Sequence, residues 1–243
     1  MTRRTRWIAG VAAVVVLAAA GAGFAFWQAF GGDAPPPVAL TTSSPSLPSG
    51  SATGSRTSGG LDGSWTIDPT SGSLADGSST YVGYRVQEEV SGLGANTAVG
   101  RTQSVSGSMT IDGTSITALE VTVDMTTLVS DRPQRDDQLR ERGLETDRFP
   151  TATFALTQPI EVGSRPKDGE TIELTAVGDL MLHGVTKQVS VPIQAEITGD
   201  RIQAIASFDV ALADYDIEPP TGVVILSIAD TGTIELHLLF QKA

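Results

Sequence analysis

From Leu61 onward apolar and polar residues alternate with a period of two. A chain patterned this way buries one face only as β-strand, because successive strand side chains point to opposite sides whereas a helical face repeats every 3.6 residues. The cleanest case is 119–125, where Leu119, Val121, Val123 and Met125 alternate with Glu120, Thr122 and Asp124. Similar runs are Val82-Tyr84-Val86, Val105-Met109-Ile111, Ala152-Phe154-Leu156, Ile172-Leu174-Ala176 and Leu180-Leu182, followed by Val189 to Ile197, Ile202 to Leu212 and Ile234 to Phe240. About eight to ten strands result, separated by turn signals at Asp112-Gly113, His183-Gly184, Gly199-Asp200 and Asp230-Thr231-Gly232. The exception is Asp131 to Gly143, where Pro133 near a start, charged helix formers and a terminal Gly predict one short helix.

Many meandering strands and one helix predict an all-β fold. The expected form is a single antiparallel lipocalin-like β-barrel of about eight strands over residues 63–243, closed so that no sheet edge is left exposed. A barrel of this size is either filled by its own side chains or holds one small ligand, and periodicity does not separate the two. The inward set mixes large residues (Tyr84, Met109, Met125, Phe154, Phe208) with small ones (Ala152, Ala176, Ala204, Ala206), and aromatics are 5% of the chain. That mixture leaves room for a cavity.

The N-terminus places the barrel. Arg3, Arg4 and Arg6 precede an uncharged run, Trp7 to Phe30, long enough at 1.5 Å per residue to cross the roughly 30 Å hydrocarbon layer. Residues 1–6 are then cytoplasmic, 7–30 form a transmembrane helix, and the remainder lies on the extracytoplasmic side. The rival is a cleaved secretory signal ending at Ala20-Gly21-Ala22, which would leave a secreted barrel. Residues 31–62 form a Pro/Ser/Gly/Thr-rich linker, expected to be disordered for want of apolar surface. As flexible coil, Ala34 to Gly60 would reach about 30 Å.

The formal charge is −12; beyond the first 60 residues there are 12 basic and 27 acidic side chains, or −15. Such a domain is repelled by phosphate backbones, which excludes nucleic acid as a partner. With no cysteine there is no disulfide, thiolate nucleophile or cysteine-ligated zinc. His183 and His237 are far apart and make no metal pattern, and Asp214, Asp216 and Glu218 read as turn and cap residues rather than an acid–base pair. No G-x-S-x-G, H-E-x-x-H, phosphate loop or dinucleotide fingerprint is present. No catalytic residue, metal or cofactor is expected.

Eight segments in order carry a resemblance: Trp65-Thr66-Ile67-Asp68, GYRVQE at 83–88, GRTQSVSG at 100–107, DMTTLVSD at 124–131, RDDQLR at 135–140, FPTATF at 149–154, GDLMLHGVTKQV at 178–189 and DYDI at 214–217. Together they resemble the YceI-like family of lipid- or polyisoprenoid-binding domains. The resemblance implies an extended lipocalin-like barrel with a long isoprenoid chain in its lumen, and hence non-enzymatic binding, storage or transport of a quinone or polyprenyl carrier. The chain departs from the family at Pro69, where members often carry a nearby histidine, and at Ala213, where many have an arginine. Both lie near strand ends and bear on a ligand's head group rather than on the barrel.

On this reading the apolar ligand contacts Tyr84, Val86, Met109, Val121, Val123, Met125, Phe154, Leu156, Leu174, Leu182, Val191, Phe208 and Leu236. Arg135, Asp136 and Leu139 on the short helix would meet the head group at the mouth. The alternative for that cluster is a solvated helix face with weak local ion pairs. The alternative for the whole domain is a solid barrel acting as an interaction or stress-response module.

Overall fold

The computed structural model describes residues 34–40 and 60–243. The described residues form twelve strands: β1 (Gly63–Ile67), β2 (Tyr81–Val90), β3 (Gly94–Thr102), β4 (Val105–Asp112), β5 (Ser115–Asp124), β6 (Val129–Ser130), β7 (Thr151–Leu156), β8 (Ile160–Glu161), β9 (Thr171–Leu182), β10 (Val185–Thr198), β11 (Arg201–Ala211) and β12 (Ile225–Lys242). One α-helix, α1 (Pro133–Glu141), lies between β6 and β7. It starts on Pro133 and is followed by Gly143 at φ 67°, a left-handed stop that glycine adopts at little cost.

Eight strands close an antiparallel ring in the order β1-β4-β5-β7-β9-β10-β11-β12, with β12 returning to β1. The five-residue β1 makes both seams: Trp65 lies opposite Met109 of β4 on one side and Lys242 of β12 on the other. Because β12 is 18 residues long, its remaining edge is free to take β2, from Tyr81 opposite His237 to Val90 opposite Ile225. β3 and β6 extend that wall. On β5 the alternation holds residue by residue: Leu119, Val121 and Val123 are buried, and Glu120, Thr122 and Asp124 are exposed.

One sequence expectation gives way, and one strand lies where the sequence analysis names none. Asp230-Thr231-Gly232 is no turn; β12 runs through it, with a register shift against β2 between Ile228 and Gly232. Turn-forming residues serve a bulge equally well, and pairing of Thr231 and Gly232 with Ala211 and Val210 keeps the strand going. The segment 94–102, with little apolar alternation, is a full strand, β3, because β2 offers it a complete partner edge. The span expected at residues 7–30 lies outside the described residues, and among the described residues no helix is long and apolar enough to cross a membrane. Of the expected linker, residues 31–33 and 41–59 also lie outside them. Residues 34–40, however, run along the outside of the barrel, hydrogen-bonded to side chains of β2, β3 and β12.

Asp68 anchors the loop that leaves β1. Its carboxylate accepts hydrogen bonds from the Thr70 amide and hydroxyl at 2.9 and 2.7 Å and from the Ser71 hydroxyl, and meets Arg201 at 3.2 Å. Burial works to raise its pKa, but the Ser71 and Thr70 hydrogen bonds and Arg201 together hold it down at about 2. A depressed carboxylate contributes stability above its unfolded pKa of about 3.9 and loses it as pH falls through the folded value. Asp68→Ala is therefore expected to cost on the order of 1–2 kcal/mol at pH 7, with the gap to the parent closing between about pH 4 and pH 2. Urea unfolding across that range checks this; a gap independent of pH would contradict it.

Candidate functional site

The inward faces of the ring strands and β2 enclose a lumen lined almost wholly by hydrocarbon. At one end are Leu61, Ile116, Ile160, Val162, Ile172 and Phe240; at the other are Tyr84, Leu128, Leu139, Leu144, Val210 and Pro220. Small side chains on the wall, Ala152, Ala176 and Ala204, prevent the large ones from filling it. A cavity of about 260 Å³, counted as space open to the centres of water-sized molecules, remains. A single water needs only about 10–15 Å³ by that measure, so this is no packing defect.

The length of the barrel follows from the strands. From Ile172 to Leu182, β9 rises about 33 Å, which at a barrel tilt near 40° is about 25 Å along the axis. Averaged over that length, 260 Å³ corresponds to about 10 Å² in section for molecular centres, a mean width of about 6 Å once a water radius is added on each side. A lumen of that length and mean width is matched by a linear chain.

Two glycines let aromatic rings line the lumen. A Cβ on Gly178 would lie 2.4 Å from Cζ of Phe154, and one on Gly100 would lie 2.4 Å from the Tyr84 ring. No side chain larger than hydrogen fits at either position while the rings stay in place.

Exposed Thr114, Ser164 and Arg165 lie on the rim of the Leu61 end, and buried polar groups enter at the helix end. Glu88 follows Val82, Tyr84 and Val86 on the inward face of β2, with 2% of its side chain exposed. Arg135 of α1 meets it at 2.6 Å, the Asn96 amide donates to it at 2.7 Å, and Arg135 also pairs with Asp131. The Tyr84 hydroxyl lies among these charges, buried and without a hydrogen-bond partner. Burial pushes its pKa upward; Arg135 opposes the rise, and Asp136, Glu88 and Asp131 add to it. A neutral phenol with a donor to spare thus sits on the lumen wall beside Glu88 and Arg135.

Of the residues expected to face an apolar ligand, all but Leu156 are on the lumen wall; Leu156, at the last position of β7, packs against the core instead. At the mouth Arg135 and Leu139 line the lumen, and Asp136 does not. Its carboxylate accepts from the Ser130 amide at 2.8 Å, tying α1 to β6. Among the lining residues that the sequence expectations do not include is Glu88, although the alternation through Val82, Tyr84 and Val86 already places a carboxylate on the inward face. His183 sits in the β9–β10 turn between the Tyr215 carbonyl (2.9 Å) and Glu145 (3.1 Å). His237 is fully buried, donating from Nδ1 to the Ser79 carbonyl at 2.6 Å and facing Gln203 from Nε2 at 2.8 Å; burial lowers its pKa against the pull of the Ser79 bond. Asp214 pairs with Lys187 at 2.7 Å on the surface.

Residues 65–240 match the YceI-like domain. The chain belongs to the YceI-like family. A UPF0312 protein of Vibrio parahaemolyticus is 31% identical over 161 residues, covering 62% of this chain and 77% of that protein. Protein YceI of Escherichia coli O157:H7 is 30% identical over 156 residues, covering 60% and 75%. Among solved structures, a polyisoprenoid binding domain from Saccharophagus degradans implicated in plant cell wall breakdown superposes with a TM-score of 0.55 at 16% identity, covering 74% of this chain and 98% of that one. BcnA of Burkholderia cenocepacia gives 0.52 at 18% identity, covering 69% and 98%. These structures share the fold of this YceI-like barrel.

Removing one partner of a buried ion pair leaves the other charge uncompensated, which is far costlier than removing both. Arg135→Leu is expected to destabilise the protein by about 2–4 kcal/mol, and adding Glu88→Gln to restore most of the loss. Denaturant midpoints of the two variants test this. Equal stability of Arg135→Leu and the parent would mean that the pair is solvated and the polar end open.

Proposed function

We propose that the protein is a non-enzymatic carrier that holds an isoprenoid-type lipid, a quinone or polyprenyl chain, in its lumen at the outer face of the cytoplasmic membrane, with residues 7–30 as its anchor. The observation that carries this reading is an apolar lumen of about 260 Å³ with the unpartnered Tyr84 hydroxyl on its lining. The prenyl tail lies along Val121, Val123, Phe154 and Leu174, and the head group meets Tyr84 at the Glu88–Arg135 end. The polyisoprenoid binding domain of Saccharophagus degradans, alike in fold, supports the choice of a prenyl chain over other linear lipids. A solid-barrel module is disfavoured: at roughly 20–25 cal/mol per Å³ an empty lumen forgoes several kcal/mol, and the buried phenol would stay unsatisfied.

Two alanines on one face of β11 separate lining from packing. Ala204 lies on the lumen wall, whereas Ala206, 3% exposed, does not. Ala204→Leu is expected to leave the melting temperature of the lipid-free protein nearly unchanged and to reduce retention of added polyprenol severalfold. Ala206→Leu is expected to cost about 1–3 kcal/mol by overpacking. Thermal unfolding and retention of radiolabelled polyprenol measure both. Equal destabilisation by the two variants, with no polyprenol retained by the parent, would refute the proposal.

A further inference from the structure

The outward face of β2, β3 and β12 carries a second, unrelated site. Tyr81 and Arg85 of β2, Arg101 of β3 and Glu235 of β12 point away from the lumen, yet Glu235 is only 1% exposed. Arg85 meets its carboxylate at 3.2 Å and Arg101 at 3.5 Å, and the Arg101 guanidinium lies 4.6 Å above the Tyr81 ring. Two guanidiniums against one carboxylate leave donors over. Arg85 gives one to the Pro35 carbonyl at 2.7 Å and Arg101 one to the Pro36 carbonyl at 3.0 Å. The Val38 amide returns a hydrogen bond to Glu235 at 3.3 Å.

This pattern fits the segment's covalent chemistry. Pro35, Pro36 and Pro37 have no N–H, so they offer only acceptors, and Val38 is the first residue after them with a donor. The site presents cations to the acceptors and an anion to that donor. Prolines also hold φ near −65° before binding, so an extended proline run loses little entropy on docking and exposes its carbonyls fully.

We propose that this face is a docking site for an extended proline-rich strand, that its occupant is the chain's own Pro35–Val38, and that this clamp sets where the barrel is held by whatever precedes it. The chain is then fixed to the barrel at Pro35 rather than at Gly60, and the 19 residues between Leu40 and Gly60 bridge two points on one body. On the anchored reading of residues 7–30, on which this consequence alone rests, the stretch from Phe30 to Pro35 reaches at most about 18 Å, against about 100 Å from Phe30 to Gly60 fully extended. The clamp draws the β2–β3–β12 face close to the bilayer, where a lumen exchanging lipid is best placed.

The absence of cysteine makes the test clean. A nitroxide is attached to Ala39→Cys, an exposed position next to the clamp, in the full chain. The parent is expected to show a slow, immobilised electron paramagnetic resonance component. That component should be lost both when the segment is altered (Pro35, Pro36 and Pro37→Ser with Val38→Pro) and when the site is altered (Arg101→Leu). Thermal unfolding verifies that each variant keeps the barrel. Fast motion in the parent overturns the clamp, as does an immobilised component that survives both changes in folded protein. The spectrum is read with and without added polyprenol, so a barrel that retains no lipid still reports whether the clamp is closed.

Discussion

Everything inside this protein depends on a five-residue strand pairing on both sides. An antiparallel sheet left open between β4 and β12 would expose two long edges and the apolar faces of the strands that now look inward. β1 closes the gap, three residues against β12 and four against β4, and plants Trp65 at the seam with its indole N–H on the Leu61 carbonyl at 2.8 Å. Asp68 then turns the chain out of the seam, and Thr80 ties the returning chain to it by donating to the Asp68 carbonyl at 2.6 Å. The ring is therefore locked at the point where the folded domain begins.

Closure fixes the strand tilt and diameter, and side-chain size decides what remains inside. Leucines in place of Ala152, Ala176 and Ala204 would narrow the interior. With alanines there, and with Phe154 and Tyr84 packed against Gly178 and Gly100, the interior keeps a lumen of about 260 Å³. The same β2 that carries Tyr84 and Glu88 inward carries Arg85 outward, so one strand serves the polar end of the lumen and the clamp on the exterior.

The barrel and most of its lining are legible because period two is a strong signal wherever large aliphatic residues keep it, as in 119–125. It fades where the physics is not carried by aliphatic alternation. Small residues hide β3, a bulge at Asp230-Thr231-Gly232 reads as a turn, and Leu156 keeps the period but sits at the end of its strand. The polar end is half legible: Arg135 stands out on the helix, but its partner Glu88, 47 residues away, is joined to it only by the fold. The clamp is not legible at all. Composition describes residues 34–60 as a tether, and three adjacent prolines count as loop formers until a surface supplies donors for their carbonyls.

The central claim is that the lumen takes one linear lipid. Native mass spectrometry of the protein purified from its membrane environment without detergent tests it most directly. One prenyl-type lipid per chain, released on unfolding and identified in the organic extract, is the predicted result. A bare polypeptide mass, from preparations in which added polyprenol also fails to bind, would contradict it.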